Sequence, residues 1–129
     1  MSGSLFAKGN AVVGDDAVDF RNKEGYLVKA NAGAPALNDS KTVPAFGVVL
    51  EGADDGAPSS IGILGAMPPV RLKAGGAIAK YANVEQAVDG TVVTDEGPGT
   101  ARVVVGVALE AAAAGDLFLC QTVSPQIRP

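Results

Sequence analysis

Apolar residues in this chain gather in short runs broken by glycine, proline, asparagine and aspartate, and none recurs at helical spacing for long enough to make an amphipathic helix. Residues 26–29 read as a first strand. Pro44 removes a ladder donor, so the next strand begins at Ala45 or Phe46 and runs to Leu50. Strands follow at 61–64 and 70–73, where Val70-Arg71-Leu72-Lys73 alternates apolar and charged. Residues 77–81 resemble a further strand, and 83–87 a helical turn or loop. Asp89-Gly90 between strand formers signals a hairpin. Residues 101–109 are rich in valine without clean alternation, the pattern of a strand covered on both faces. Glu110 to Ala114 has high helix propensity but is too short to stand alone. Residues 117–123 close the pattern, and the two prolines of 124–129 are expected to keep that tail out of a sheet.

One phrase occurs twice. Gly47-Val48-Val49-Leu50-Glu51 opens a stretch ending at Gly56, and 59 positions later Gly106-Val107-Ala108-Leu109-Glu110 opens one ending at Gly115. Each copy stands before another apolar run, so the repeat reads as a strand, a turn and a strand built twice. Gly47 and Gly106 fall in strand segments, where a missing side chain permits a bulge or a close backbone approach. Gly56 and Gly115 can reverse the chain with positive φ. These four are the expected structural turn or bulge positions.

Before the first strand, residues 1–24 carry Leu5, Phe6, Val12, Val13, Val18 and Phe20 in a weakly patterned stretch. Such side chains are costly to leave wet. The segment therefore reads as an arm or edge strand, either loose or laid on another subunit. The division expected is an N-terminal arm at 1–24, a β-rich domain at 25–123 and a C-terminal tail at 124–129. The fold class is all-β: a compact β-barrel or β-sandwich of eight or nine short strands, an extended N-terminal arm and at most one short helix.

Composition sharpens this picture. With 129 residues, 47% of them apolar and only 5% aromatic, a core is affordable but must be built mainly of Val, Ala, Leu and Ile. Seventeen glycines and eight prolines suit frequent turns. Ten basic residues against 14 acidic ones leave a net charge of -4 and no basic stripe, so nucleic acid is not an expected partner. No run approaches the length of a membrane span, and the first residues lack the apolar core of a signal peptide; a soluble product of the cytoplasm fits.

Candidate chemistry is sparse. Histidine is absent, which removes the usual general base and the commonest zinc ligand, and the single cysteine, Cys120, sits in an apolar run. The acidic pairs Asp15-Asp16, Asp54-Asp55 and Asp95-Glu96 lie beside glycines in expected loops, as solvated turn residues do. No catalytic, cofactor or metal site is expected. Two other classes stay open: a carbohydrate- or surface-binding β module, which wants exposed aromatic platforms, and a carboxylate-dependent hydrolase, which needs two distant acids brought into one cleft.

The stretch from Val105 to Asp116 followed by an apolar strand, with Ala45-Phe46-Gly47-Val48-Val49-Leu50 before it, resembles the small capsid decoration, or cement, proteins of tailed bacteriophages over residues 25–123. That resemblance implies a non-enzymatic virion protein on the outer surface of the capsid. It would bridge subunits of the major capsid protein against internal pressure, commonly as a homotrimer, without cofactor, nucleic acid or membrane. The family's binding residues do not transfer by motif. On physical grounds the expected capsid or subunit contacts are Leu5, Phe6, Val12, Val13 and Phe20, because an extended arm can add a strand to a partner's sheet.

Overall fold

Ten strands are present among the residues described by the computed structural model, which are 11–14, 20–31, 34–52, 59–97 and 101–128. They are β1 (Ala11–Gly14), β2 (Leu27–Asn31), β3 (Ala34–Leu37), β4 (Gly47–Glu51), β5 (Ser59–Ile63), β6 (Val70–Lys73), β7 (Asn83–Gln86), β8 (Val92–Thr94), β9 (Arg102–Ala108) and β10 (Leu117–Arg128). Two five-stranded antiparallel sheets result, in the orders β1-β5-β4-β2-β3 and β6-β10-β9-β7-β8. The all-β expectation holds. Leu5, Phe6 and Gly56 lie outside the described residues.

The two orders are the same order. Adding five to each strand number of the first sheet gives the second, and the repeated phrase supplies the central strand of both. Register repeats as well. Gly47, Val48 and Val49 face Ile63, Gly62 and Ile61; Gly106, Val107 and Ala108 face Thr122, Gln121 and Cys120. On the other side Leu27 and Val28 pair with Val48 and Gly47, as Asn83 and Val84 pair with Val107 and Gly106. Even the entry turns agree: Gly25 N–H donates to Val49 O at 2.9 Å and Tyr81 N–H to Ala108 O at 2.8 Å, both residues having positive φ. A five-strand unit has been built twice.

The glycine that opens each phrase has the same task in both units. A Cβ on Gly47 would stand 2.6 Å from Ile61 Cγ2 and 2.7 Å from the carbonyl oxygen of Gly62. On Gly106 it would stand 2.7 Å from Cys120 Sγ and 2.6 Å from the carbonyl oxygen of Gln121. These are equivalent neighbours, so both central strands press against the following strand at a distance only glycine tolerates. Gly115, with φ 89°, turns the chain from Ala114 toward β10.

Period-two alternation sends the faces of the first sheet into two cores. Leu27 and Val48 join Leu72, Val84, Val103, Val105, Phe118 and Cys120 in the larger one, which both sheets line. Val28, Val49 and Ile61 form the smaller one with Phe20, edged by Leu37 and Phe46. Polar bonds stitch the sheets. Gln86 accepts from Ala45 N–H at 2.7 Å and donates to the carbonyls of Ser40 and Val43, both at 2.9 Å. Backbone bonds run from Leu27 N–H to Gly90 O and from Lys73 N–H to Gly25 O.

Four local expectations change. Residues 83–86 form a strand rather than a turn, because Glu85 and Gln86, helical in propensity, are wholly buried by tertiary partners. Residues 77–81 make only an isolated bridge, Ile78 to Ala112. Residues 110–114 form no helix. The C-terminal stretch does pair: Gln126, Ile127 and Arg128 face Val104, Val103 and Arg102, and Pro125 falls inside the register shift between Thr122 and Gln126, where its missing N–H breaks no ladder bond. The Asp89-Gly90 hairpin joins β7 to β8 as expected, with Gly90 at φ 84°.

Because both glycines sit against backbone and a core side chain, Gly106→Ala and Gly47→Ala should each destabilise the fold by about 1–3 kcal/mol, the usual cost of overpacking. Urea unfolding of the two variants checks this, with similar losses expected at the two sites.

Candidate functional site

Of the residues expected to make contacts, three lie among those described. Val12 and Val13 belong to β1, which pairs within the chain's own first sheet opposite Ile61 and Ser60 and stands at that sheet's edge. Phe20 is fully buried between β2, β4 and β5, and its carbonyl lies against Gly52, where a Cβ would come within 1.9 Å. Its side chain serves the small core and has no surface to offer a partner. Phe20 thus anchors the start of the described stretch 20–31 in the small core.

Charged groups are engaged in structural pairs. Glu85 is wholly buried on the outer side of β7, where Arg102 Nε approaches its Oε2 at 3.2 Å as a charge contact without hydrogen-bond alignment. Its other oxygen accepts from Glu96 N–H at 2.9 Å, and Arg102 also meets the Glu96 carboxylate at 3.1 Å and the Gly97 carbonyl. Asp95 accepts from Gly97 N–H. The acidic pair at 95–96 thus closes its own loop. Arg71, on the charged side of β6, bonds Glu110 at 2.8 Å. Glu110 also accepts from Leu119 N–H, and that bond, reinforced by Arg71, holds its carboxyl below the ordinary range.

Among the described residues no group of three or more His, Cys, Asp or Glu side chains could hold a metal ion, and no helix is long and apolar enough to cross a membrane. Aromatic side chains form no platform there: Phe20 and Phe118 are buried, Phe46 and Tyr26 partly buried, and Tyr81 stands exposed beside Lys80. Cys120 lies in the large core, where desolvation pushes its thiol up to about 12.

A different feature emerges on the outer face of the second sheet. An open groove of about 460 Å³ is floored by Val104, Val107 and Val123 and edged by Asn83, Gln126 and Ile127, none of them charged. Ile127 is 57% exposed. The sequence hid this surface for two reasons. The prolines masked the last part of β10, and the valines of β9 do not announce which of them point outward.

Breaking the buried pair should be costly. Arg102→Leu leaves the Glu85 carboxylate buried without its cation and should lose about 3–5 kcal/mol, measured by denaturant unfolding, with Glu85→Gln in the same chain restoring part of the loss. Cys120 should resist alkylation until the chain unfolds. Its thiol holds its proton more tightly folded than unfolded, so its contribution is complete below pH 9 and fades as pH rises toward 12, a slope that Cys120→Ala should lose.

Comparison with known proteins places this architecture. No curated protein matches the chain. A solved structure described as the head fiber gp8.5 N base in bacteriophage phi29 matches with a TM-score of 0.61 and 21% identity, covering 88% of this chain and 92% of the other. At that identity the likeness shows a shared fold. The phage cement protein family matches residues 5–123, nearly the whole chain, including both copies of the repeated phrase and the segment before β1. The chain belongs to the phage cement protein family.

Proposed function

We propose that this protein binds the outer surface of a phage capsid and stabilises it by bridging subunits of the major capsid protein, without catalysis. The family match over residues 5–123 carries this reading. Physical features support it. Arg71, Arg102, Glu85 and Glu110 are tied into structural pairs and the cysteine is buried, so these groups serve the scaffold. The two sheets share one large core, a suitable strut between subunits. Repetition over a closed shell makes modest individual contacts collectively strong.

Contact with the shell is assigned to the residues preceding β1, with Leu5 and Phe6 as anchors, and to the free edge of β1, where Val12 and Val13 lie. An extended segment there can exchange backbone hydrogen bonds with a partner strand. Phe20 contributes indirectly, by fixing the base of the arm.

Purified protein added to expanded capsids should co-sediment with them and raise their resistance to heat, while immature shells should bind it poorly; equal indifference of both shells contradicts the reading. Removing residues 1–10 spares β1 and Phe20, so the truncated chain should keep its cooperative unfolding transition and lose shell binding. Unchanged binding by that truncation would take the anchors out of the account.

A further inference from the structure

The same turn leads into the second strand of each unit. Tyr26 N–H donates to Lys23 O at 3.0 Å, and Ala82 N–H to Ala79 O at 3.1 Å. Each turn is then tied to its central strand, by Val49 N–H to Tyr26 O and by Ala108 N–H to Ala82 O, both 2.9 Å. In both turns the second central residue has positive φ and the first does not. That is the sign pattern of a type II turn, which asks for glycine or asparagine at its second central position. The first unit complies with Gly25 at φ 88°, whereas the second places Tyr81 there at φ 70°.

Nothing in the fold calls for this tyrosine. A bulky side chain in the left-handed region is strained, and such strain marks positions where the side chain has work of its own. Burial does not hold it, because Tyr81 is 67% exposed. Gly25 is confined by its surroundings: a Cβ there would stand 2.6 Å from Leu117 Cδ2 and 3.2 Å from the carbonyl oxygen of Arg71. The open turn of the second unit has room for a side chain, but room alone does not favour an aromatic ring that is costly to leave wet.

The neighbourhood suits a protein contact. Ile78 and Ala112 exchange backbone bonds at 2.8 and 2.9 Å, which lays residues 111–114, all alanine, alongside the segment that ends in this turn. Ala111, Ala113 and Ala114 are exposed, and their short side chains let a ring project beyond them. Lys80 Nζ stands 5.0 Å from the Tyr81 ring centroid and has no carboxylate partner among the described residues. A projecting ring with an uncommitted cation beside it fits an apolar pocket flanked by an acid. Tyrosine is a frequent anchor of protein interfaces, because its ring buries a large area at little conformational cost.

We propose that Tyr81, with Lys80, anchors this protein in an apolar, acid-flanked pocket of the major capsid protein. The proposal rests on the capsid-bridging reading and supplies its second contact. Bridging needs two, and the contact already assigned includes β1 at the edge of the first sheet, whereas the Tyr81 turn leads into β7 of the second.

Co-sedimentation titrations with expanded capsids, run beside urea unfolding of the same samples, provide the test. Tyr81→Gly relieves the positive φ, so it should unfold at the same or a higher urea concentration and yet bind expanded shells about 30-fold more weakly. Tyr81→Asn, the other residue this turn favours, should behave alike. A tyrosine that served the fold would instead lower the unfolding midpoint when replaced. Lys80→Glu should leave unfolding unchanged and weaken binding by about 10-fold, more at low salt than at high salt. Full binding by the folded Tyr81 variants, or a lowered midpoint in both, overturns the inference. If the unaltered protein ignores expanded shells, the capsid reading itself fails and this contact fails with it; binding that the Tyr81 variants retain removes Tyr81 alone.

Discussion

The close approach of the central strand to the strand after it is the constraint on which both sheets depend. At Gly47 and Gly106 a side chain would collide with the carbonyl of the facing strand and with the core residue beside it. Removing the side chain lets Ile61 in one unit and Cys120 in the other close over the central strand. Each fills the core beside it. Everything outward from there follows in register, including the turns at Gly25 and Tyr81 that feed the neighbouring strands. A short chain with few aromatics gains its packing from this repeated backbone contact instead of from large side chains.

The units then diverge according to what lies beside them. In the first, Phe20 fills the small core, and one sheet face is buried against the second unit. In the second, the inner face receives that contact, and among the described residues the outer face is open at the groove lined by Val104, Val107 and Val123. Charges follow the same logic. Lys29 in β2 pairs with the exposed Asp39 at 2.8 Å, whereas its counterpart Glu85 in β7 is wholly buried against Arg102. The two glutamates of the phrase differ too: Glu51 is exposed, while Glu110 bonds both Arg71 and Leu119 N–H. A symmetric frame thus carries asymmetric surfaces.

Much of this was legible in the chain. The doubled Gly-Val-x-Leu-Glu phrase pointed to a unit built twice, and turn residues with short apolar runs pointed to an all-β fold. Alternation at Val70 to Lys73 correctly put Leu72 in the core and Arg71 outside. What stayed hidden depended on distant partners. Asn83 to Gln86 looks like a turn until Ala45, Ser40 and Val43 arrive to satisfy Gln86 and Arg102 arrives to meet Glu85. Pro125 looks like a strand breaker until a register shift accommodates it. Phe20 reads as a wet aromatic on an arm, because no local pattern reveals the pocket formed by β2, β4 and β5. The open face of the second sheet was out of reach for the same reason, since outward and inward valines in β9 differ only in what packs on them.

The most direct test of the account is a reconstruction of expanded capsids saturated with this protein. It should show density of the two-sheet body on the outer surface, spanning a boundary between major capsid protein subunits, with residues before β1 continuing into the shell. Density confined to a single capsid subunit, or absent from the outer surface of a saturated shell, would contradict the bridging role.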